Sequence, residues 1–141
     1  MKRTFKSTVG VTLLEIMLVL AIAAMVIVMS IRYYSQASSN QRITSYADML
    51  TGIMSAGQSW VQGGNTYSSI SNANVQVYMP GNTIPVSPWG STITVTGSAN
   101  TIVVTLSAAP SATDCTKLTT LLQPNKSISL NSSCTTTTIT P

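Results

Sequence analysis

The sequence predicts an α+β chain in which one long N-terminal helix packs on a small antiparallel sheet. Three observations predict it. Hydrophobic residues run almost unbroken from Val11 to Ile31. Apolar positions then recur at steps of three and four between Ile43 and Val61, the spacing of one helix face. From Thr66 onward both patterns give way to short β-branched stretches separated by Gly, Pro, Ser and Asn.

Length and charge bound the function. The 141 residues support about one domain with a modest core. Charged residues make up 7% of the chain, against about 25% in an ordinary soluble protein. The net charge of +4 is no nucleic-acid footprint, because Lys2, Arg3 and Lys6 all precede the apolar run. The remaining basics (Arg32, Arg42, Lys117 and Lys126) are scattered among three acids and form no stripe along which a phosphate backbone could lie. As a positive flank that stays cytoplasmic while a helix inserts, the leading cations are well placed.

Val11–Ile31 is 21 residues long, and at a rise of ~1.5 Å per residue it would span roughly 31 Å, the thickness of a bilayer core. It contains no Pro and no Gly. A cleaved secretory signal would need small residues after the apolar core, where this chain has Val26-Ile27-Val28-Met29. An uncleaved single-span anchor is the simpler alternative. Glu15 argues for something more specific. A carboxylate in hydrocarbon costs on the order of 2.5–3.5 kcal/mol on insertion scales, so it calls for a partner or for hydration near the interface.

The phrase "MKRTFKSTVG" followed by "VTLLEIMLVLAIAAMVIVM" resembles the type IV prepilins and their relatives, the pseudopilins of type II secretion. The likeness covers about the first 31 residues and rests on four coincident features: a basic leader, a Gly, a Glu at fixed offset and an apolar run. It implies cleavage between Gly10 and Val11 by a prepilin peptidase, and N-methylation of Val11. It also implies that Glu15 directs assembly by neutralising the terminal amine of a neighbouring subunit. Val11 in place of Phe, with "TLLE", is similar to the type IVb branch, although the leader is short for that branch. The resemblance further implies a homopolymer, a polytopic platform protein, a cytoplasmic assembly ATPase and other, minor pilins as partners. The precursor would sit in the inner membrane with its N-terminus cytoplasmic and its head periplasmic, and the product would be an extracellular filament.

Four segments follow: a leader at 1–10, a membrane and filament-core helix at 11–31, its amphipathic continuation at 32–62 and a β-rich head at 63–141. In the continuation Ile43, Tyr46, Ala47, Leu50, Ile53, Met54, Gly57, Trp60 and Val61 trace one face. Ser35–Gln41 is weakly helical and is expected to bend or partly melt. Gln62-Gly63-Gly64-Asn65 should end the helix.

The head is expected to hold strands at Val75–Met79, Ser91–Thr96, Thr101–Ser107, Ser127–Asn131 and Thr135–Thr140. Gly97-Ser98-Ala99-Asn100 would turn the second into the third. A short helix is expected between them and the last two strands. Ser111 would cap it, Asp114 would complete a capping box, and Leu118, Leu121 and Leu122 would face inward. Pro88-Trp89-Gly90 reads as a turn carrying an aromatic over the sheet, and a similar element occurs in pseudopilins and type IVb pilins. Cys115 and Cys134 are the only cysteines, and in an exported domain an even pair reads as a disulfide, the alternative being two buried free thiols.

Catalysis is not expected. The chain has no His, which removes the commonest acid–base group and any Cys/His metal site, and no nucleophile elbow or phosphate loop is present. Neither a metal nor a cofactor is expected. The sequence therefore reads as a structural subunit of a type IV pilus. Its rivals are a type II pseudopilin, a minor tip pilin, and, from another class, an uncleaved membrane-anchored periplasmic binding module.

Overall fold

A computed structural model describes residues 12–124 and 126–141. The chain is α+β, and its elements run α1 (Leu13–Gln62), a short helical turn, a five-residue helix α2 (Asn72–Gln76), a second helical turn, β1 (Ile93–Ser98), β2 (Thr101–Leu106), α3 (Ala112–Leu122), β3 (Ile128–Leu130) and β4 (Thr136–Ile139). It divides into two compact units that meet in sequence between Ser38 and Ser39.

The first unit is helix. Thr12 starts it, its hydroxyl accepting from the Glu15 amide at 3.3 Å. Every residue from Leu13 to Ile31 is exposed, so this segment contributes nothing to a core of its own. The helical assignment continues without a break through Ser35–Gln41, which corrects the expectation of melting there. Hydroxyls in this stretch can be absorbed by the helix itself, as when Ser35 donates to the Arg32 carbonyl at 2.9 Å.

In the second unit the C-terminal part of α1 supplies one side of the core. Ile43, Tyr46, Leu50, Ile53, Ala56 and Gly57 are buried, while Thr44, Thr51, Ser55 and Ser59 turn outward and donate to carbonyls three or four residues back. The helix stops where expected. Gly64 takes a φ of 88°, a left-handed conformation that glycine adopts without penalty, and Asn65 donates to the Trp60 carbonyl at 3.2 Å.

Four antiparallel strands in the order β1-β2-β4-β3 supply the other side. Alternation puts Ile93, Val95, Ile102, Val104, Leu106, Thr137 and Ile139 on the buried face, and Thr94, Thr96 and Thr105 on the exposed one. A Cβ on Gly57 would run into Ile102 Cδ1. The absence of a side chain there is what lets α1 lie close to β2.

Three expectations are corrected. Val75–Met79 forms no strand: α2 and a following turn occupy it, with Val75 and Met79, four residues apart, buried and Val77 61% exposed. The neighbouring edge of the sheet is already occupied. Asn72 fills the outer edge of β1, its carboxamide accepting from the Val95 amide and donating to the Ile93 carbonyl at 3.3 Å, and Ser71 bridges Thr96. Gly97 lies within β1 opposite Ile102 rather than in the turn, which reduces to Ala99-Asn100. Finally, Leu121 is 52% exposed, so of the three leucines only Leu118 and Leu122 face the core.

Gly97 is needed because the Tyr67 carbonyl occupies the position its Cβ would take. Gly97→Ala is therefore expected to destabilise the fold by about 2 kcal/mol through backbone collision. The check is denaturant unfolding of the detergent-solubilised chain.

Cys115 and Cys134 form a disulfide with Cα atoms 5.7 Å apart. It ties α3 to the turn before β4, where Cys134 has a φ of 53°. By loop entropy the cross-link is worth about 3 kcal/mol. Reduction is expected to loosen the segment between the two cysteines and open it to protease. Unchanged cleavage patterns after reduction would contradict this.

Candidate functional site

Two arrangements carry chemistry beyond packing. The first is the N-terminus of α1. Thr12-Leu13-Leu14-Glu15 has the spacing of a capping box, with Thr12 as N-cap and Glu15 three residues on. The Glu15 amide donates to the Thr12 hydroxyl at 3.3 Å and to its carbonyl at 3.0 Å. A carboxylate in the first helical turn also faces the positive end of the helix dipole. Thr12 was not among the residues predicted to matter, though the T-x-x-E spacing is plain in the sequence. Gly10 and Val11, the expected cleavage pair, lie outside the described residues. From Leu13 to Ile31 Glu15 is the one charged residue, and the only hydroxyl in that run, Ser30, donates to the Val26 carbonyl at 2.8 Å. The segment thus presents a hydrocarbon surface with one carboxylate near its start.

The second arrangement centres on Asp114, at the start of α3. Only 6% of its surface is exposed. Its amide donates to the Ser111 hydroxyl at 3.1 Å, so Ser111 caps α3 as expected. The carboxylate, however, does not complete a capping box. It accepts from the Trp89 indole at 3.0 Å and from the Ser39 hydroxyl. Lys117 is half-buried one turn further on, and its ammonium donates to Ser39 Oγ and Asn40 Oδ1, each at 3.3 Å.

Trp89 is held by a closed turn. Ser87 and Ser91 share a hydroxyl–hydroxyl hydrogen bond of 2.6 Å, the Gly90 amide donates to the Ser87 carbonyl at 2.8 Å, and Gly90 adopts a φ of 78°. Pro and Gly in the second and fourth positions suit such a turn. The indole packs edge-on against Tyr46, ring centres 5.3 Å apart. The Tyr46 hydroxyl in turn bonds Thr137 Oγ1 of β4 at 3.2 Å. A line of contacts therefore joins β4, α1, the Pro-Trp-Gly turn and α3.

The electrostatics follow from these partners. The Ser39 hydrogen bond holds the Asp114 carboxyl below the usual carboxylate range, helped by Trp89, Ser111 and the nearby Arg42 charge, against the opposing effect of burial. Burial pushes the Tyr46 phenol up, with the Thr137 hydrogen bond opposing. The Asp114 carboxylate is engaged on both oxygens, by Ser39 on one and Trp89 on the other. Among the described residues no three His, Cys, Asp or Glu side chains converge as metal ligands would.

Neither protein families, nor curated proteins, nor solved structures give a match to this chain. What the fold itself provides is a long apolar N-terminal helix, a small antiparallel sheet and one disulfide, an architecture compatible with a pilin-like fold. The helix is long and apolar enough to anchor the chain in a membrane.

Proposed function

We propose that this chain is a structural subunit of a type IV pilus-like filament, cleaved between Gly10 and Val11 and then polymerised through its apolar helix. The observation that carries the reading is the fully exposed surface from Leu13 to Ile31 with one carboxylate, Glu15, in its first turn. Such a surface needs lipid or other helices to cover it, and the same segment meets both needs: bilayer before assembly, filament core after it. Its partners in this reading are further copies of the chain, a prepilin peptidase, and the platform and ATPase that drive extrusion.

The chemistry of Glu15 supports it. Cleavage would remove the three leader cations and leave one ammonium on Val11. Either charge alone in an apolar core is costly, whereas the two desolvated together are tolerable. Glu15 would thus set the stagger between subunits. In this reading the head is the coat, and its low charge and many Ser, Thr and Asn residues suit close packing. Its role is structural rather than catalytic.

Intact mass spectrometry of the chain recovered from cells tests the proposal. The expected species begins at Val11, carries one extra methyl group and gains two hydrogens on reduction. A species retaining Met1–Gly10 in cells with an active prepilin peptidase would overturn the reading and favour the anchored binding module.

A further inference from the structure

The apolar run ends abruptly in Arg32-Tyr33-Tyr34, and nothing in the first unit covers these side chains. Tyr33 is 78% exposed and Tyr34 77%. Consecutive helical residues are turned by about 100°, so Arg32, Tyr33 and Tyr34 fan out over more than half of the helix circumference. A seam for another helix would instead repeat at steps of three and four along one side. The three residues therefore form a partial collar at one height on the axis rather than a stripe along it.

Height is what the collar shares with the rest of the segment. Leu13 to Ile31 is a helix whose one hydroxyl, on Ser30, is satisfied by the Val26 carbonyl. The rise from Glu15 to Arg32 is about 26 Å, slightly less than a bilayer hydrocarbon core of ~30 Å. Glu15 and Arg32 then lie within a few ångströms of opposite interfaces, where a long guanidinium side chain can reach phosphate while its stem stays in the acyl region. Tyrosine places its ring at the same level with its hydroxyl in water. Immediately beyond, Ser35 and Gln36 are exposed and polar.

We propose that Arg32, Tyr33 and Tyr34 are the outer interfacial anchor of the stored subunit. The partner is the phospholipid headgroup layer: Arg32 engages phosphate, the two tyrosine rings sit at the glycerol level, and together they set how deep the helix rides. This inference rests on the reading of Val11–Ile31 as a membrane segment and adds to it a depth-determining site.

The test uses the full chain in vesicles of phosphatidylethanolamine and phosphatidylglycerol, with bromine placed either near the headgroup or near the acyl end of the lipids. Two tryptophan reporters are compared after subtraction of the parent signal from Trp60 and Trp89. Tyr34→Trp is expected to be quenched several-fold more by shallow than by deep bromine, and Met25→Trp more by deep. In a Tyr33→Ser/Tyr34→Ser background the Met25→Trp quenching maximum should move to a different depth. If Met25→Trp is quenched by deep bromine while Tyr34→Trp shows no shallow preference, the collar is overturned and insertion stands. The same holds if the double serine variant leaves the Met25→Trp profile unchanged. If neither reporter is quenched, the membrane reading falls along with the collar.

Discussion

Glu15→Ala subunits are expected to reach the membrane and to be cleaved, yet to yield no filaments, while the matched parent strain yields them in quantity. Electron microscopy of sheared material and immunoblotting for the processed chain separate the two steps. The Thr12 cap makes a sharper comparison possible. A glutamine at position 15 keeps the capping geometry, because Glu and Gln serve equally in the third helical position of a capping box. It removes only the charge. If Glu15→Gln subunits assemble as well as the parent, Glu15 acts as a helix cap and the charge-pairing account of stagger is wrong. Loss of filaments with both variants, with α1 intact by circular dichroism, is the result the pairing account requires. Because a lone carboxylate in hydrocarbon costs on the order of 2.5–3.5 kcal/mol, either variant should also insert more readily than the parent.

Asp114→Ala is expected to cost about 4 kcal/mol of stability. It removes the charge-assisted bonds from Trp89 and Ser39 and leaves both donors without their acceptor. Denaturant unfolding in detergent checks the magnitude. The pH dependence checks the cause. Asp114 titrates below its ordinary value of 3.8 in the folded chain, so its stabilisation is complete at neutral pH. As the pH falls below 3.8, the unfolded chain takes up the proton first and the folded state loses that advantage progressively. The gap between the parent and Asp114→Asn should accordingly narrow with acid through that window. A gap that stays constant into strong acid would mean that the carboxylate charge plays no part.

The features readable along the chain are those whose physics is local or periodic. The apolar run, the buried face at Ile43, Tyr46, Leu50, Ile53 and Gly57, the glycine stop and the Ser111 cap each declare themselves within a few turns. The strands around Ile93, Thr101, Ile128 and Thr136 were legible for the same reason, since alternation of branched apolar and polar residues is a two-residue signal. Cys115 and Cys134 paired because they were the only cysteines to pair.

Three of the readings that failed depended on partners distant in sequence. Val75–Met79 has strand-like composition, but it becomes a strand only if it pairs with a sheet edge, and at the outer edge of β1 the backbone groups are taken by Asn72 instead. Gly97 looks like a turn residue until Tyr67 is brought against it. Asp114 looks like the second half of a capping box, and a capping carboxylate and a buried acceptor are indistinguishable in sequence. Only the meeting of α1, α3 and the Pro-Trp-Gly turn gives it Trp89 and Ser39 instead.

The division has a single physical origin. Hydrophobic periodicity and end-capping act over one or two helical turns, so the sequence by itself determined the long two-part helix, the single carboxylate of its apolar part and the α+β class. Hydrogen bonds to buried groups and backbone contacts closer than a Cβ allows are decided between segments that meet only on folding. The tertiary structure alone therefore decided the roles of Asp114, Asn72 and Gly97.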